Sequence, residues 1–280
     1  MREEDIPASL NLMTSHGMFL GLYEAKTWIQ LDPEGLLVAE ELETGRVLGQ
    51  ISGINYDKNN SFIGMYTVLE EFRLQGIGSA LWNALMLHCN GRNIGLYARV
   101  QMVPSYQKRG FTLTSPYDLK IYVGNPKTKI HSIDGVIIEK IDEKNINQVN
   151  KYDQKVCGID RSQYNCLNAN ETEAVSLVAL KQDTKEAVGY CILKKGNKFR
   201  IIAPLYADSD EIAELLIAKC EISEGEQISI RTLDGSAGVD LVDKISMDYV
   251  TQVPTLFSKE IVIPDMKKVY SGTSINYFPF

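Results

Sequence analysis

Seven consecutive residues, Arg73-Leu74-Gln75-Gly76-Ile77-Gly78-Ser79, carry the strongest chemical signal in the chain. Glycines at 76 and 78 let main-chain N–H groups approach an anion with no Cβ in the way. A helix starting here adds unpaired N–H donors and the positive end of its dipole. A diphosphate is the natural guest of such a turn, held by the amides of residues 74–79. Arg73 can add a charge-assisted contact, and the Ser79 hydroxyl can donate from the first helical turn. Two familiar glycine loops are excluded. The dinucleotide pattern G-x-G-x-x-G needs glycine where Leu81 stands, and no G-K-[ST] follows as a P-loop requires. About thirty residues on, Pro104-Ser105-Tyr106 precedes Gly110-Phe111. A phenol has a pKa of about 10, so Tyr106 is protonated at neutral pH and is a candidate proton donor. Its alternative is packing against Phe111. Glu70, with Glu71 beside it, ends the strand before the turn and is the candidate base, or else a solvated carboxylate.

These residues need elements to position them. The spacing predicts helices over 6–15 and 22–30, the latter stopping at Asp32-Pro33. Strands are expected at 36–42, 47–56 and 62–69, with the turn Glu43-Thr44-Gly45 between the first two. A helix over 76–89 carries Ile77, Ala80, Leu81, Ala84, Leu85 and His88 on one stripe. A strand at 94–98, a short helix at 103–108 ended by Gly110, and strands at 111–113 and 119–123 complete this half. Trp28 and Trp82 are expected in the core. His88, on the apolar stripe, is expected there too, while His16 is a lone histidine at a helix end.

The pattern then repeats at an offset of 140 residues. Leu37-Val38-Ala39 recurs as Leu177-Val178-Ala179, Thr44 as Thr184, Gly49 as Gly189 and Tyr66 as Tyr206. The period is far too long for a solenoid and implies a doubled domain. Residues 126–134 collect proline, glycine and charge and read as a linker between domains 1–125 and 135–280. The second copy is expected to run strand 136–139, helix 146–155, strands 174–180, 187–193 and 199–205, helix 211–220, and strands near 228–231, 249–253 and 268–271. The first copy lacks a counterpart of strand 136–139. At the glycine turn the second copy reads Ala213, Leu216 and Ala218 in place of Arg73, Gly76 and Gly78. One anion site is therefore expected, in the first half.

Composition narrows the class. A net charge of −7 argues against nucleic acid as a partner. The excess sits after residue 130, where it could draw a cationic amine or simply solubilise a surface. Five scattered cysteines without a C-x-x-C pair, and three distant histidines, signal neither a disulfide framework nor a metal site. No apolar run reaches the ~20 residues of a membrane span, and the acidic start lacks a signal-peptide core, so a cytoplasmic protein with reduced thiols is expected, with no membrane partner. Nothing in the sequence sets the oligomeric state.

The R-x-x-G-x-G turn resembles the cofactor signature [RQ]-x-x-G-x-[GA] of the GNAT N-acetyltransferase superfamily, with Arg73, Gly76 and Gly78 in its fixed positions. Met102–Phe111 resembles the family's Y-x-[KR]-x-G-F ending, and the Val156–Arg161 stretch is similar to a V-x-G-x-D-R segment of tandem GNAT-like proteins. The resemblance covers nearly the whole chain. It implies an α/β fold of two tandem domains, each a central, mostly antiparallel sheet flanked by helices. It implies acetyl-CoA as cofactor and an amine acceptor, a small molecule in the leading reading, attacked in a ternary complex. The alternative is an acyl-CoA sensor without turnover. It further implies that the third and fourth strands splay, that main-chain groups at Tyr66, Thr67 and Val68 pair with the pantetheine arm, and that the N–H near Val68 polarises the thioester. Tyr106 would be the general acid. Asp160 and Arg161 could line the acceptor pocket or tie the two copies together, and the second copy would have an acceptor-pocket or structural role.

Overall fold

In the computed structural model, which describes residues 1–280, the chain forms two mixed sheets. α1 (Ile6–Ser15) and α2 (Glu24–Leu31) precede β1 (Leu36–Glu40), β2 (Val47–Asn55) and β3 (Asn60–Val68). α3 (Ile77–His88), β4 (Asn93–Tyr97), α4 (Val103–Gln107), β5 (Leu113–Thr114) and β6 (Leu119–Gly124) complete the first half. The second half runs β7 (Val136–Lys140), α5 (Ile146–Cys157), α6 (Ser162–Ala169), β8 (Val175–Lys181), β9 (Ala187–Lys194) and β10 (Arg200–Ala207). It ends with α7 (Asp210–Ala218), β11 (Ile228–Leu233), α8 (Ala237–Lys244), β12 (Asp248–Val253), β13 (Thr255–Phe257) and β14 (Val269–Ser271). The periodicity did not signal α6, α8 or β13. α6 buries Tyr164, Asn165 and Asn168, so it shows no apolar stripe.

The first sheet has the order β1-β2-β3-β4-β13-β5 and the second β7-β8-β9-β10-β11-β6-β12. Each half thus lends one strand to the other. β6 sits between β11 and β12, and β13 sits between β4 and β5. The sheets therefore do not divide at residues 126–134, because the strand just before this linker belongs to the second sheet. β1 is the edge of the first sheet, while β7 extends the second beyond β8, so the first copy lacks that strand.

Register makes the repeat physical. Leu37 pairs with Ile51 and Ala39 with Gly49; 140 residues on, Leu177 pairs with Cys191 and Ala179 with Gly189. The third strands depart by one residue. Gln50 pairs with Thr67, whereas Tyr190 pairs with Tyr206, so Tyr206 corresponds to Thr67 and not to Tyr66. A one-residue slip sends side chains to opposite faces. Tyr66 packs under α3, and Tyr206 lies in the core between the sheets.

In both sheets the central pair is parallel and short. β3 and β4 pair from Asn60↔Asn93 to Ile63↔Leu96, and β10 and β11 from Arg200↔Ile228 to Ile202↔Ile230. Beyond these points the strands part. In the second sheet β14 fills the wedge: Leu205 pairs with Ser271 and Tyr206 with Val269. Gly272 N–H donates to Arg231 O, and Arg231 N–H to Ser271 Oγ, closing the other side. In the first sheet no strand enters.

The chain beyond β14 crosses to the first half. Ser52 Oγ donates to Asn276 O, Phe278 packs on Tyr56, and an ideal Cβ on Gly64 would lie 2.1 Å from the Asn276 carbonyl oxygen. Phe278 and Phe280 are fully buried, worth about 1.5–3 kcal/mol each. The tail is anchored by Arg161. Its Nε and Nη2 donate to Asp153 at 2.9 and 2.6 Å, its Nη1 to Thr273 Oγ1 at 2.9 Å, and its guanidinium stacks 4.3 Å from the Phe278 ring. Arg161 is therefore a buried structural residue of the second half. Asp160 is exposed and accepts the Ser162 N–H at the start of α6.

Two stability outcomes follow from these contacts. Arg161→Leu leaves Asp153 buried without its countercharge and should lose about 3–5 kcal/mol in denaturant unfolding. A variant that kept its midpoint but raised KM would return Arg161 to the acceptor pocket. Gly64→Ala should lose about 1–3 kcal/mol by pushing the tail off β3, read as a lowered Tm.

Candidate active site

The open wedge between β3 and β4 leads into a cavity of about 920 Å³. Its walls are the α1–α2 connection at His16–Phe19, β3 from Ile63 to Val68, the turn around Arg73–Ser79, and the chain from Leu96 to Met102. Tyr106 opens onto it from α4. The second sheet and the tail close the far side with Ile121 of β6, Arg231, residues 251–253, Ile275 and Asn276.

The turn is built as its residue types require. Leu74 and Gly76 have φ of +61° and +89°. Gly76 has open space where a Cβ would point, whereas a Cβ on Gly78 would lie 2.8 Å from the Tyr66 hydroxyl, which donates to Gly78 O. The main-chain N–H groups of residues 74–79 make no hydrogen bond within the protein; the first helical bond is Ala80 N–H to Gly76 O. Six consecutive free donors at a helix N-terminus fit a diphosphate. Leu74, Gly76, Gly78 and Ser79 line the cavity. The Gln75 side chain turns back to Glu71 O, and Ile77 packs into the core under α3, so these two offer only their amides.

Arg73 sits at the mouth. Its Nε donates to Val68 O at 3.2 Å and its Nη2 lies 2.7 Å from His16 Nε2. The opposite ring nitrogen of His16 lies 2.8 Å from Leu12 O, so both nitrogens are engaged. Leu69 N–H bonds back to Leu48 O on β2. Main-chain groups alternate sides along an extended strand, so the Val68 N–H faces the open edge. Tyr66, Thr67 and Val68 all line the cavity.

Tyr106 is set by a short α4 with Pro104 in its first turn, and by Phe111 N–H donating to Tyr106 O. Its ring packs on Trp82 and Phe111, and Arg109 lies 4.5 Å over Trp82. Burial, with Tyr66 nearby, pushes its pKa up to about 12. The hydroxyl holds its proton throughout the neutral range and is suited to donating it.

Three expected site residues lie elsewhere. Glu70 is exposed outside the cavity, so it cannot act there as a base; its neighbour Glu71 pairs with Arg46. Asp160 and Arg161 serve α6 and the tail. Sequence reasoning missed Arg231 and Arg99. With Arg73 they make the cavity basic, and no aspartate or glutamate lines it. The cationic amine that an acidic second half could draw finds no carboxylate here. Arg231 had a readable signal: in Ile228-Ser229-Ile230-Arg231-Thr232-Leu233 the isoleucines pack under α7 and α8, which sends Arg231 to the other face.

The second half has no equivalent cradle. α7 is a plain apolar helix whose first turn carries Asp210 and Glu211, and its N-terminus is capped by Ser209 Oγ accepting from Ile212 N–H. Two carboxylates repel an anion at that end, and β14 occupies the wedge.

Known proteins share this arrangement. Residues 12–111 match the acetyltransferase (GNAT) family model, and residues 149–271 match an acetyltransferase (GNAT) domain model. Holothin acyltransferase of Pseudoalteromonas sp. (strain SANK 73390) is 24% identical over 214 residues, spanning 75% of this chain and 70% of the relative. A Pyrococcus horikoshii protein assigned to the acetyltransferases superposes with a TM-score of 0.76 at 18% identity, over 98% of this chain and 93% of its own. A tandem GNAT protein from the clavulanic acid biosynthesis pathway superposes with a TM-score of 0.62 at 13% identity, over 91% and 94%. No helix is long and apolar enough to cross a membrane. With a GNAT model matched on each of two strand-exchanging halves, the chain belongs to the GNAT superfamily as a tandem-domain acyltransferase.

Proposed function

We propose that this enzyme transfers an acetyl group from acetyl-CoA to the amine of a small molecule, by direct attack within a ternary complex. The observation that carries the reading is the run of free amides at residues 74–79 beside Arg73, opening into a cleft that contains Tyr106. Bound acetyl-CoA supplies a thioester carbonyl and a thiolate leaving group. The cradle holds its diphosphate, and the open edge of β3 at residues 66–68 pairs with its pantetheine amides as an added strand would. The Val68 N–H is aimed to stabilise negative charge on the thioester oxygen. The amine forms a C–N bond as the C–S bond breaks. Tyr106 Oη gives its proton to the departing sulfur, and the excess proton on nitrogen leaves to solvent. Small ligands occupy sites of about 300–1,000 Å³, which supports a small acceptor in a cavity that must also admit the pantetheine arm.

One observation favours a second reading, an acyl-CoA-binding sensor without turnover. No carboxylate lines the cavity, and both ring nitrogens of His16 are engaged, so no protein base stands ready. Thiol release across an amine panel separates the two. Turnover supports the enzyme, and tight acetyl-CoA binding without thiol release supports the sensor. Gly76→Glu puts a carboxylate into the cradle and should abolish acetyl-CoA binding, read as loss of the ligand-induced Tm shift, while the unliganded protein loses only the about 1–2 kcal/mol of strain that a side chain brings at φ +89°.

Tyr106→Phe should lower kcat by about 10²–10⁴ with unchanged affinity for coenzyme A. The sign of the pH effect follows from the raised phenol pKa. The protonated form persists to about pH 12, so the rate should rise with pH as the amine loses its proton, with no alkaline fall from Tyr106 below about pH 10. A descending limb near pH 8 that persists unchanged in Tyr106→Phe would place the general acid on another group and overturn the assignment.

A further inference from the structure

Arg231 is the least satisfied charged group in the molecule. It extends from β11 of the second half and is almost wholly buried, yet it lines the cavity. Its Nη2 donates to Phe19 O, while Nε and Nη1 have no hydrogen-bond partner. Leaving guanidinium donors buried and unpaired is strongly unfavourable, because desolvation is not offset. Arg161 shows what the same fold does when the role is structural: each of its three nitrogens donates, two of them to one carboxylate. Two charged or titratable groups lie close enough to act on Arg231. Glu24 is buried and already accepts from Lys194 Nζ and Ser274 Oγ; Tyr97 donates to Pro279 O. Neither supplies an acceptor to Nε or Nη1.

Nε and Nη1 lie on different edges of the guanidinium, and each can donate a charge-assisted hydrogen bond, for which a carboxylate oxygen is the matching acceptor. The rest of the lining agrees: Arg73 and Arg99 are basic, and no acid is present to receive a second ammonium. We infer that Arg231 receives a carboxylate carried into the cavity by a substrate, so that the acceptor is an amine that also bears a carboxylate. This rests on the acyl-transfer reading of the same cavity. A dicarboxylic acyl chain on coenzyme A would present the same group from the donor side. Arg231 then fixes which molecule is used, while the cradle and Tyr106 act alike on all.

The test pairs amino acids with their amides, identical apart from the carboxylate, as acceptors for acetyl-CoA and, in a second arm, for succinyl-CoA, with thiol release as readout. Wild type should prefer at least one acid over its amide by about tenfold or more in kcat/KM, as expected for hydrogen bonds to a charged group. Arg231→Met should erase that preference, and Arg231→Lys should restore part of it. Preference for succinyl-CoA over acetyl-CoA, lost in Arg231→Met, would assign the carboxylate to the donor instead. Because Arg231 also holds Phe19, each variant is checked for an unchanged acetyl-CoA-induced Tm shift, a readout independent of the acceptor. The acid preference of wild type stands as evidence even if Arg231→Met fails to fold. Turnover of amides as fast as acids, with no preference between donors, would overturn the inference and leave acyl transfer intact. Absence of thiol release with every pair would overturn the acyl-transfer reading. The inference is then judged by calorimetry of N-acetyl amino acids against their amides on the coenzyme A complex, where equal affinity across the panel would overturn it.

Discussion

A sheet that splits between two central strands exposes main-chain donors and acceptors along both new edges, and those groups need partners. The whole molecule is organised around this requirement, met in two ways. In the second half β14 enters the wedge, bonding to β10 on one side and to Arg231 on the other. In the first half the wedge stays open, and its edge at Tyr66–Val68 faces a cavity. The same backbone architecture is therefore a completed sheet in one copy and a ligand slot in the other. The divergence runs through the adjoining helices as well. α3 starts from a left-handed glycine and presents bare amides, whereas α7 is capped by Ser209 and carries two acids in its first turn.

Two buried arginines express the same contrast. Arg161 is saturated by Asp153 and Thr273 and stacks on Phe278, and so binds the tail that seals the back of the first wedge. Arg231 is left short of partners at the cavity end. Burial alone does not separate structural from functional charge, because both side chains are nearly inaccessible. They differ in hydrogen bonding: every guanidinium nitrogen of Arg161 donates, whereas Nε and Nη1 of Arg231 have no partner.

The glycine turn, α3 and the first three strands were legible because local chemistry fixes them. Gly76 must take a positive φ, and Ile77, Leu81 and Leu85 face the sheet, while Ala80 and Ala84 of the expected stripe stay exposed and Trp82 is buried in their place. The 140-residue repeat was legible through β1 and β2, whose register it reproduces. It misled at Tyr66, because one residue of difference between the β2–β3 and β9–β10 connections shifts the third strand and turns Tyr206 to the other face. The strand exchange was invisible for a different reason. β13 is three residues long and pairs with partners more than 140 residues away, so nothing local marks it. Glu70 looked useful because it neighbours the turn in sequence, yet the chain leaves the cavity there. Arg161 carried the right residue type in a suggestive segment, but its carboxylate partner lies one helix earlier.

Strand exchange also explains why a copy without a cradle is kept. β6 leaves the first half to pair with β11, which sets Ile121 opposite Arg231 and aims that face of the second sheet into the first half's cavity. β13 returns to close the first sheet beyond β4, the strand from which Tyr97 lines the same cavity. With its own wedge filled by β14, the second sheet keeps no open edge there, and the inward face of β11 borders the cavity of the first half. The strand that closes the gap in the second sheet thus leaves β11 to wall the cavity that the first sheet keeps open.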